Sequence, residues 1–346
     1  MEKGKKERIF TYLAALAVLL ALPACRRERA DFGLADFEQG RLDPVPLVSD
    51  FSGVLGNPSG LVSCGPDMLV LTEPMKEKQL LLLDLRQGTA CESVSQGRGP
   101  GEILYAWALS QKNGQVFVYD APGGKLLFPE IPGRDDGRGV EELRVPDGVM
   151  FPRLAGMREG YAALSPFGSG NRLTLLDEEM RTTSDIPFPD GYACDGFEPD
   201  NDMFQSLLGC SPASDRIVTA CRAAPYVDIY TSSGALVRHL QGPNVFTASF
   251  KEEDRGGGRI RTQEPMYFVY AGLSVSDEAF MLGYDGSGYV DEKSRIGMLL
   301  LFDLDGKPLK RYDLPEPLSA FDVDWESRIV YGIPGEGAPR IVAYSF

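Results

Sequence analysis

Histidine is nearly absent from this chain of 346 residues; His239 is the single copy. Serine–histidine or cysteine–histidine catalysis would have to pass through that one side chain, and a histidine-rich metal centre is excluded by number. Tryptophan is scarce, with two residues, and basic residues fall short of acidic ones, 35 against 50, for a formal net charge of −15. A surface that acidic repels phosphate backbones, which argues against nucleic-acid binding and suits basic or cationic partners better. Beyond the first two dozen residues, no stretch approaches the ~20 apolar residues that a membrane-spanning helix needs. The cysteines are few, and their spacings are not those of a zinc site.

The N-terminus reads as an address. Lys3, Lys5, Lys6 and Arg8 form a basic head, the run from Thr11 to Leu22 is apolar, and Leu22-Pro23-Ala24-Cys25 places a cysteine just after a small residue. This is the anatomy of a secretory signal peptide, too short and wrongly flanked for a span. The last four residues resemble a bacterial lipobox, which implies cleavage before Cys25 and lipidation of Cys25. A chain so modified is anchored to a membrane rather than threaded through it. The basic start of the mature chain, Arg26-Arg27-Glu28-Arg29, favours a periplasm-facing position. The leader carries +2, so its removal takes the net charge to −17. Five cysteines then remain, Cys64, Cys91, Cys194, Cys210 and Cys221. At least one of these is unpaired; either one bridge forms among Cys194, Cys210 and Cys221, or all are buried thiols packed as small apolar residues.

From Gly60 onward one unit recurs six times: an apolar strand, a tight turn, a second apolar strand, a loop, a third strand ending mostly in Asp or Tyr, a turn, and a polar fourth strand. In the first unit these are Gly60–Cys64, Met68–Thr72, Gln79–Asp84 and Thr89–Val94. Later units begin at Leu104, Arg153, Phe204, Tyr267 and Ala320. Apolar runs of four to six residues bounded by Gly, Pro, Asn and Asp signal strands. Asn113-Gly114, Ser233-Gly234 and Asp305-Gly306 supply the positive φ of tight hairpins. Third strands that are apolar throughout suit sheets buried on both faces, and charged fourth strands suit an exposed rim. The period, roughly 50 residues, matches four-stranded propeller repeats.

The sixth unit stops at its third strand, Arg340–Phe346, while Arg41–Asp50 precedes the first and can supply the missing fourth. The expected fold is therefore all-β, a six-bladed β-propeller closed by its N-terminal strand latching onto the last blade. Residues 1–24 form the signal peptide, 25–40 a tether and 41–346 the propeller.

Three segments depart from the repeat. Asp185–Met203 is acidic and aromatic, a solvated connection or, since calcium takes clustered oxygen ligands, a calcium loop, although its spacing fits no EF-hand. Val245–Met266 is the longest linker, and Gly283–Gly288 is glycine-rich but opens no helix, which disfavours a phosphate cradle. The sharpest local motif is Gln96-Gly-Arg-Gly-Pro-Gly-Glu102, where the chain crosses from rim to axis. Its glycines and proline set a crossing turn; the functional alternative is that Arg98 and Glu102 line a channel mouth.

With the lipobox and the six units, this motif resembles the TolB-like six-bladed propeller lipoproteins of Bacteroidota. That family implies a secreted binding or scaffold protein without an established reaction. The expected function is a non-catalytic envelope module whose ligand or protein partner meets one face of the ring. Its contacts are drawn from Arg98, Glu102, Tyr105, Arg153, Phe204 and Tyr267, all near the starts of inner strands. No catalytic residue, cofactor or resident metal is expected. The alternatives are a calcium-dependent hydrolase working in the channel and a pure scaffold. His239 is expected on the outer rim.

Overall fold

A computed structural model describes residues 30–131, 140–213, 216–254, 259–287 and 295–346; Cys25 lies outside them. The first strands are short: β1 (Ala30–Asp31), β2 (Glu38–Gln39) and β3 (Asp43–Pro44). The repeats follow as antiparallel meanders. One sheet comprises β4 (Gly60–Ser63), β5 (Met68–Thr72), β6 (Lys78–Asp84) and β7 (Thr89–Ser95). The next comprises β8 (Ala108–Lys112), β9 (Gln115–Asp120), β10 (Lys125–Phe128) and β11 (Glu141–Arg144). The third comprises β12 (Leu154–Gly156), β13 (Tyr161–Leu164), β14 (Asn171–Leu176) and β15 (Thr182–Pro187). The fourth comprises β16 (Ser206–Cys210), β17 (Arg216–Cys221), β18 (Tyr226–Thr231) and β19 (Leu236–Gln241).

A two-stranded hairpin, β20 (Phe250–Asp254) and β21 (Arg259–Gln263), is followed by the largest sheet. That sheet contains β22 (Tyr270–Val275), β23 (Ala279–Tyr284), β24 (Ile296–Asp303), β25 (Pro308–Asp324), β26 (Ile329–Pro334) and β27 (Val342–Ser345). The 17-residue β25 serves two meanders: residues 308–313 pair with β24, and residues 318–324 pair with β26.

Local sequence explains the elements. Asn113 (φ 50°) and Gly114 (φ 77°) make the two-residue turn that pairs Lys112 with Gln115, the backbone hand that right-twisted strands require. Leu80, Leu81, Leu82 and Leu83 are all at most 3% exposed, as expected of a strand covered on both faces. The sheets stack through apolar layers. Val62, Val70 and Leu82 meet Val116, Val118 and Leu127, and Phe117 and Leu126 meet Tyr161 and Leu176. At the end of the chain, Tyr331, Ile333, Ile341 and Ala343 pack on Leu61, Leu69, Leu71 and Leu83 of the first sheet. The inner strands β4, β8, β12, β16, β22 and the second half of β25 neighbour one another in that order and return to β4. The fold is an all-β β-propeller.

Several expectations are revised. The inner strand of the second sheet starts at Ala108, not Leu104, because the buried carboxylate of Asp120 takes the N–H groups of Leu104 (2.7 Å) and Tyr105 (3.2 Å). Within the expected tether, residues 30–40 are docked. β1 lies parallel to β19, with Ala30 opposite Leu240, and β2 lies parallel to β25, with Glu38 opposite Lys310. Phe32 and Phe37, each 6% exposed, enter the apolar layer beside Phe302. β3 then pairs with β27, Pro44 opposite Tyr344. Val45 N–H donates to Ala343 O (2.9 Å), and Ile341 N–H donates to Asp50 O (2.8 Å).

The linker from Val245 to Met266 contains the β20–β21 hairpin. Asp195 accepts the Phe250 N–H (2.8 Å), and the Arg261 guanidinium lies over the Phe197 ring. The two long insertions thus pack on each other. The five described cysteines are free thiols.

Candidate functional site

The inner strands surround a cavity of about 480 Å³ bordered by their C-terminal parts: Val62 and Ser63, Leu109 to Gln111, Gly156, Leu208 to Cys210, Leu273 to Val275, and Phe321 to Asp324. This is the strand-end mouth of a central channel. The expected binding residues lie toward the opposite, strand-start mouth.

Two of the six fill structural roles. Phe204 is 1% exposed and packs against Tyr192 (4.6 Å) and Phe250 (5.1 Å); its ring is spent on the insertion core and is not presented to a ligand. Glu102 folds back on the crossing turn and accepts the Gly99 N–H (2.7 Å). A Cβ at Gly97 would stand 1.9 Å from its Oε2, so the glycines there make room for the carboxylate. Arg98 is exposed on the same turn. Tyr267 is half-buried against Phe246, with ring centroids 4.4 Å apart.

Tyr105 and Arg153 come together through Trp107, which the sequence reading did not single out. Tyr105 and Trp107 are 36% and 40% exposed, and their rings meet edge to face at 6.1 Å. Arg153 donates to Trp107 O (3.4 Å), and Trp107 Nε1–H donates to Pro152 O (3.0 Å). Burial depresses the Arg153 pKa to about 10, helped by the neighbouring positive charge of Arg222. Burial lowers Arg222 in the same direction. Among the described residues, neither guanidinium has a carboxylate partner. Arg222 follows β17 and is tied at the start of two inner strands: its N–H donates to Gln205 O (2.8 Å), and its carbonyl accepts the Val269 N–H (2.7 Å). Two mutually repelling guanidinium groups, one of them bonded to the Trp107 backbone, form a place where an anion is favoured, because arginine forks match carboxylate and phosphate oxygens.

His239 is not on the rim. It is 4% exposed, with Nδ1 2.6 Å from Asp228 Oδ1 and its ring stacked on Tyr226 at 5.4 Å. Asp228 is fully buried and also receives the Tyr192 hydroxyl (2.6 Å), the Thr219 hydroxyl (3.1 Å) and Arg172 Nε (3.2 Å). Burial works to raise the Asp228 pKa, but the His239 hydrogen bond and the Arg172 charge hold it below the usual carboxylate range. Arg172, also fully buried, donates further to Asn201 Oδ1 (3.0 Å), Ser206 Oγ (2.9 Å) and Thr219 Oγ1 (2.9 Å). This network joins the β12–β15 sheet, the Asp185–Met203 insertion and the β16–β19 sheet. Local pattern carried no signal for it, because its members are scattered over five strands and the insertion.

In the acidic insertion, Asp200 and Asp185 are engaged by hydrogen-bond donors. Asp200 accepts the N–H groups of Gly168 (2.7 Å) and Asp202 (2.8 Å), and Asp185 accepts the Thr174 hydroxyl (2.8 Å). Among the described residues, no group of three or more His, Cys, Asp or Glu is set to hold a metal ion. No helix among them is long and apolar enough to cross a membrane.

No protein-family profile and no curated protein matches the sequence. Solved structures do resemble it. A candidate exported protein of Bacteroides fragilis superposes with a TM-score of 0.52 at 10% identity, over 91% of this chain and 98% of its own. A protein of unknown function from Bacteroides thetaiotaomicron gives 0.48 at 11% identity, over 92% and 75%. The β-propeller domain of Cps50 (Swd1) from Myceliophteria thermophila gives 0.44 at 10% identity, over 88% and 99%. At such identities the likeness concerns the fold alone.

Proposed function

We propose that this chain is a non-catalytic binding module of the cell envelope: a TolB-like, six-bladed propeller, latched by its N-terminal segment and anchored by a lipid on Cys25. It receives an anionic group, a carboxylate or phosphate on a small ligand or a protein partner, at the strand-start mouth. The observation that carries this is the Arg153–Arg222 pair, whose charges lack a carboxylate partner among the described residues, with Arg153 bonded to the backbone of the exposed Trp107. Support for six blades comes from the six inner strands around one cavity and from the double use of β25. Support for the latch comes from the β3–β27 pairing. The envelope location draws on the leader pattern, in keeping with a fold neighbour described as a candidate exported protein. The sole histidine is enclosed beside Asp228 and borders neither the cavity nor the arginine pair, which favours binding over His-dependent hydrolysis.

The anchor has a geometric consequence. Cys25 precedes Ala30 by five residues, at most about 17 Å of extended chain. A lipid on Cys25 therefore holds the outer edge of the β16–β19 sheet at the bilayer.

The test exploits the two tryptophans. In protein labelled with 5-fluorotryptophan, succinate and inorganic phosphate are titrated while the Trp107 fluorine resonance is followed. A saturable shift, weakened at least ten-fold by Arg153→Met or Arg222→Met, is expected. No shift with either anion, or an unchanged affinity in both variants, overturns the reading.

A further inference from the structure

We propose that the strand-end mouth of the channel is a second site, for a small organic ammonium ion: a primary amine on an alkyl stem, its head group received by Asp322 and Asp324. This site is independent of the arginine pair and lies at the other end of the channel.

Asp322 and Asp324 are two apart on β25, so both side chains leave the same face of the strand, and both border the cavity. Asp322 Oδ2 accepts the Ser63 N–H from β4 (2.8 Å), and the Ser274 hydroxyl of β22 also serves its carboxylate. Asp324 Oδ1 accepts the N–H groups of Glu326 (3.2 Å) and Ser327 (3.3 Å). Its Oδ2 has no partner, although Asp324 is only 5% exposed. Buried polar atoms are nearly always satisfied, and a buried carboxylate oxygen without a donor at a cavity edge marks a place for one.

The surroundings select the donor. Asp322, Asp324 and Glu326 border the cavity, and among the described residues no Lys, Arg or His does. Burial and the charge of Asp324 push the Asp322 carboxyl up to about 6. The groups facing it from other strands are Ser63, Gln111 and Ser274, which do not titrate, and Cys210, whose thiol is pushed up to about 12 by burial and stays neutral. A bound cation supplies the missing countercharge.

A divalent metal fits poorly. Calcium takes six to eight oxygens, whereas the first Asp324 oxygen and Asp322 Oδ2 already hold backbone N–H groups. An ammonium needs only a few acceptors; Ser110, Gln111 and Asn113 add neutral polar groups to the wall, and Leu61, Leu109, Leu208 and Leu273 offer apolar surface for an alkyl stem. The volume, about 480 Å³, lies in the small-molecule range of roughly 300–1,000 Å³.

Trp325 borders this cavity and gives its Nε1–H to Ser274 Oγ (3.0 Å), while Trp107 stands at the opposite mouth. With two tryptophans in the chain, each mouth carries its own fluorine reporter. At pH 7.5, 1,4-diaminobutane and n-butylamine should shift the Trp325 resonance saturably and leave Trp107 unmoved. N-butylacetamide should do nothing, and Asp324→Asn should weaken amine binding at least ten-fold. The wild-type comparison of amine with amide stands even if the variant fails to fold. The proposal is overturned if neither amine shifts Trp325, if the amide does so equally, if Asp324→Asn folds and binds as before, or if calcium alone saturates the site at lower concentration. Because Trp107 reports the anion site separately, either site can fail without the other.

Discussion

Phe32 meets Phe302 edge to face, with ring centroids 5.2 Å apart, so a residue from the start of the chain lies in the apolar layer between the β16–β19 and β22–β25 meanders. Phe37 joins the same ring from a second direction at 5.1 Å. β1, β2 and β3 then run along the outer edges of three successive meanders. The segment that reads as a tether is, from Ala30 onward, a strap that is part of the folded body.

Phe32→Ala or Phe37→Ala should therefore cost about 3 kcal/mol, the lost burial plus the cavity left behind. Urea unfolding of the single variants measures it. Stability within about 0.5 kcal/mol of wild type in both would show that the strap is only laid on the surface.

Removal of residues 42–50 should lower the melting temperature of the whole body, not fray one edge, because β27 then becomes an open sheet edge and Ile341 loses its bond to Asp50. Calorimetry distinguishes the two. A truncated protein that melts with the intact one refutes the latch.

The Arg172–Asp228 pair is fully buried at both ends. Removing one partner alone, as in Arg172→Met or Asp228→Asn, leaves an uncompensated group and should cost roughly 3–5 kcal/mol. Changing both together should cost less than the sum of the single changes. A double-mutant cycle in urea reads this; strict additivity would mean that the charges do not interact.

Gly97→Ala should displace the Glu102 carboxylate, since the new Cβ would stand 1.9 Å from Oε2. The lost bond to Gly99 N–H should cost about 2 kcal/mol. In a Glu102→Ala background the same glycine change should cost much less. Equal costs in the two backgrounds would place the strain in the backbone instead.

Asp322 gives a pH dependence of definite sign. Its folded pKa, about 6, lies above the 3.8 of an unburied aspartate, so the folded state binds the extra proton between those values. Its contribution favours folding below about pH 4 and fades as the pH rises through 6. Relative to Asp322→Asn, the wild type should therefore gain stability as pH falls from 7 to 4. Parallel stability–pH curves would contradict the buried position of the carboxyl.

Much of the propeller was legible from local pattern. The third strands Lys78–Asp84 and Ile296–Asp303 are apolar through their centres, and the Asn113-Gly114 turn demands a hairpin. The inner-strand starts were less legible. Leu104–Leu109 has strand composition, yet Asp120 claims two of its N–H groups, and so exposes Tyr105 beside Trp107. Of the residues chosen for the site, Arg153 and Tyr105 share a mouth, while Phe204 is drawn into the insertion core and Glu102 into its own turn. Arg222, Asp322 and Asp324 carried no sequence signal, because each lies within, ends or directly follows an ordinary strand.

Alternation and turn chemistry depend on neighbours within a few residues, and so the sequence alone determined the β meanders and their recurrence. Three things were decided only by tertiary structure: where residues 30–44 dock, that His239 is enclosed beside Asp228, and which charges are left without a partner among the described residues. Each depends on groups brought together from distant segments, and burial and pairing there, not local spacing, set the energy of a phenyl ring, an imidazole or a carboxylate.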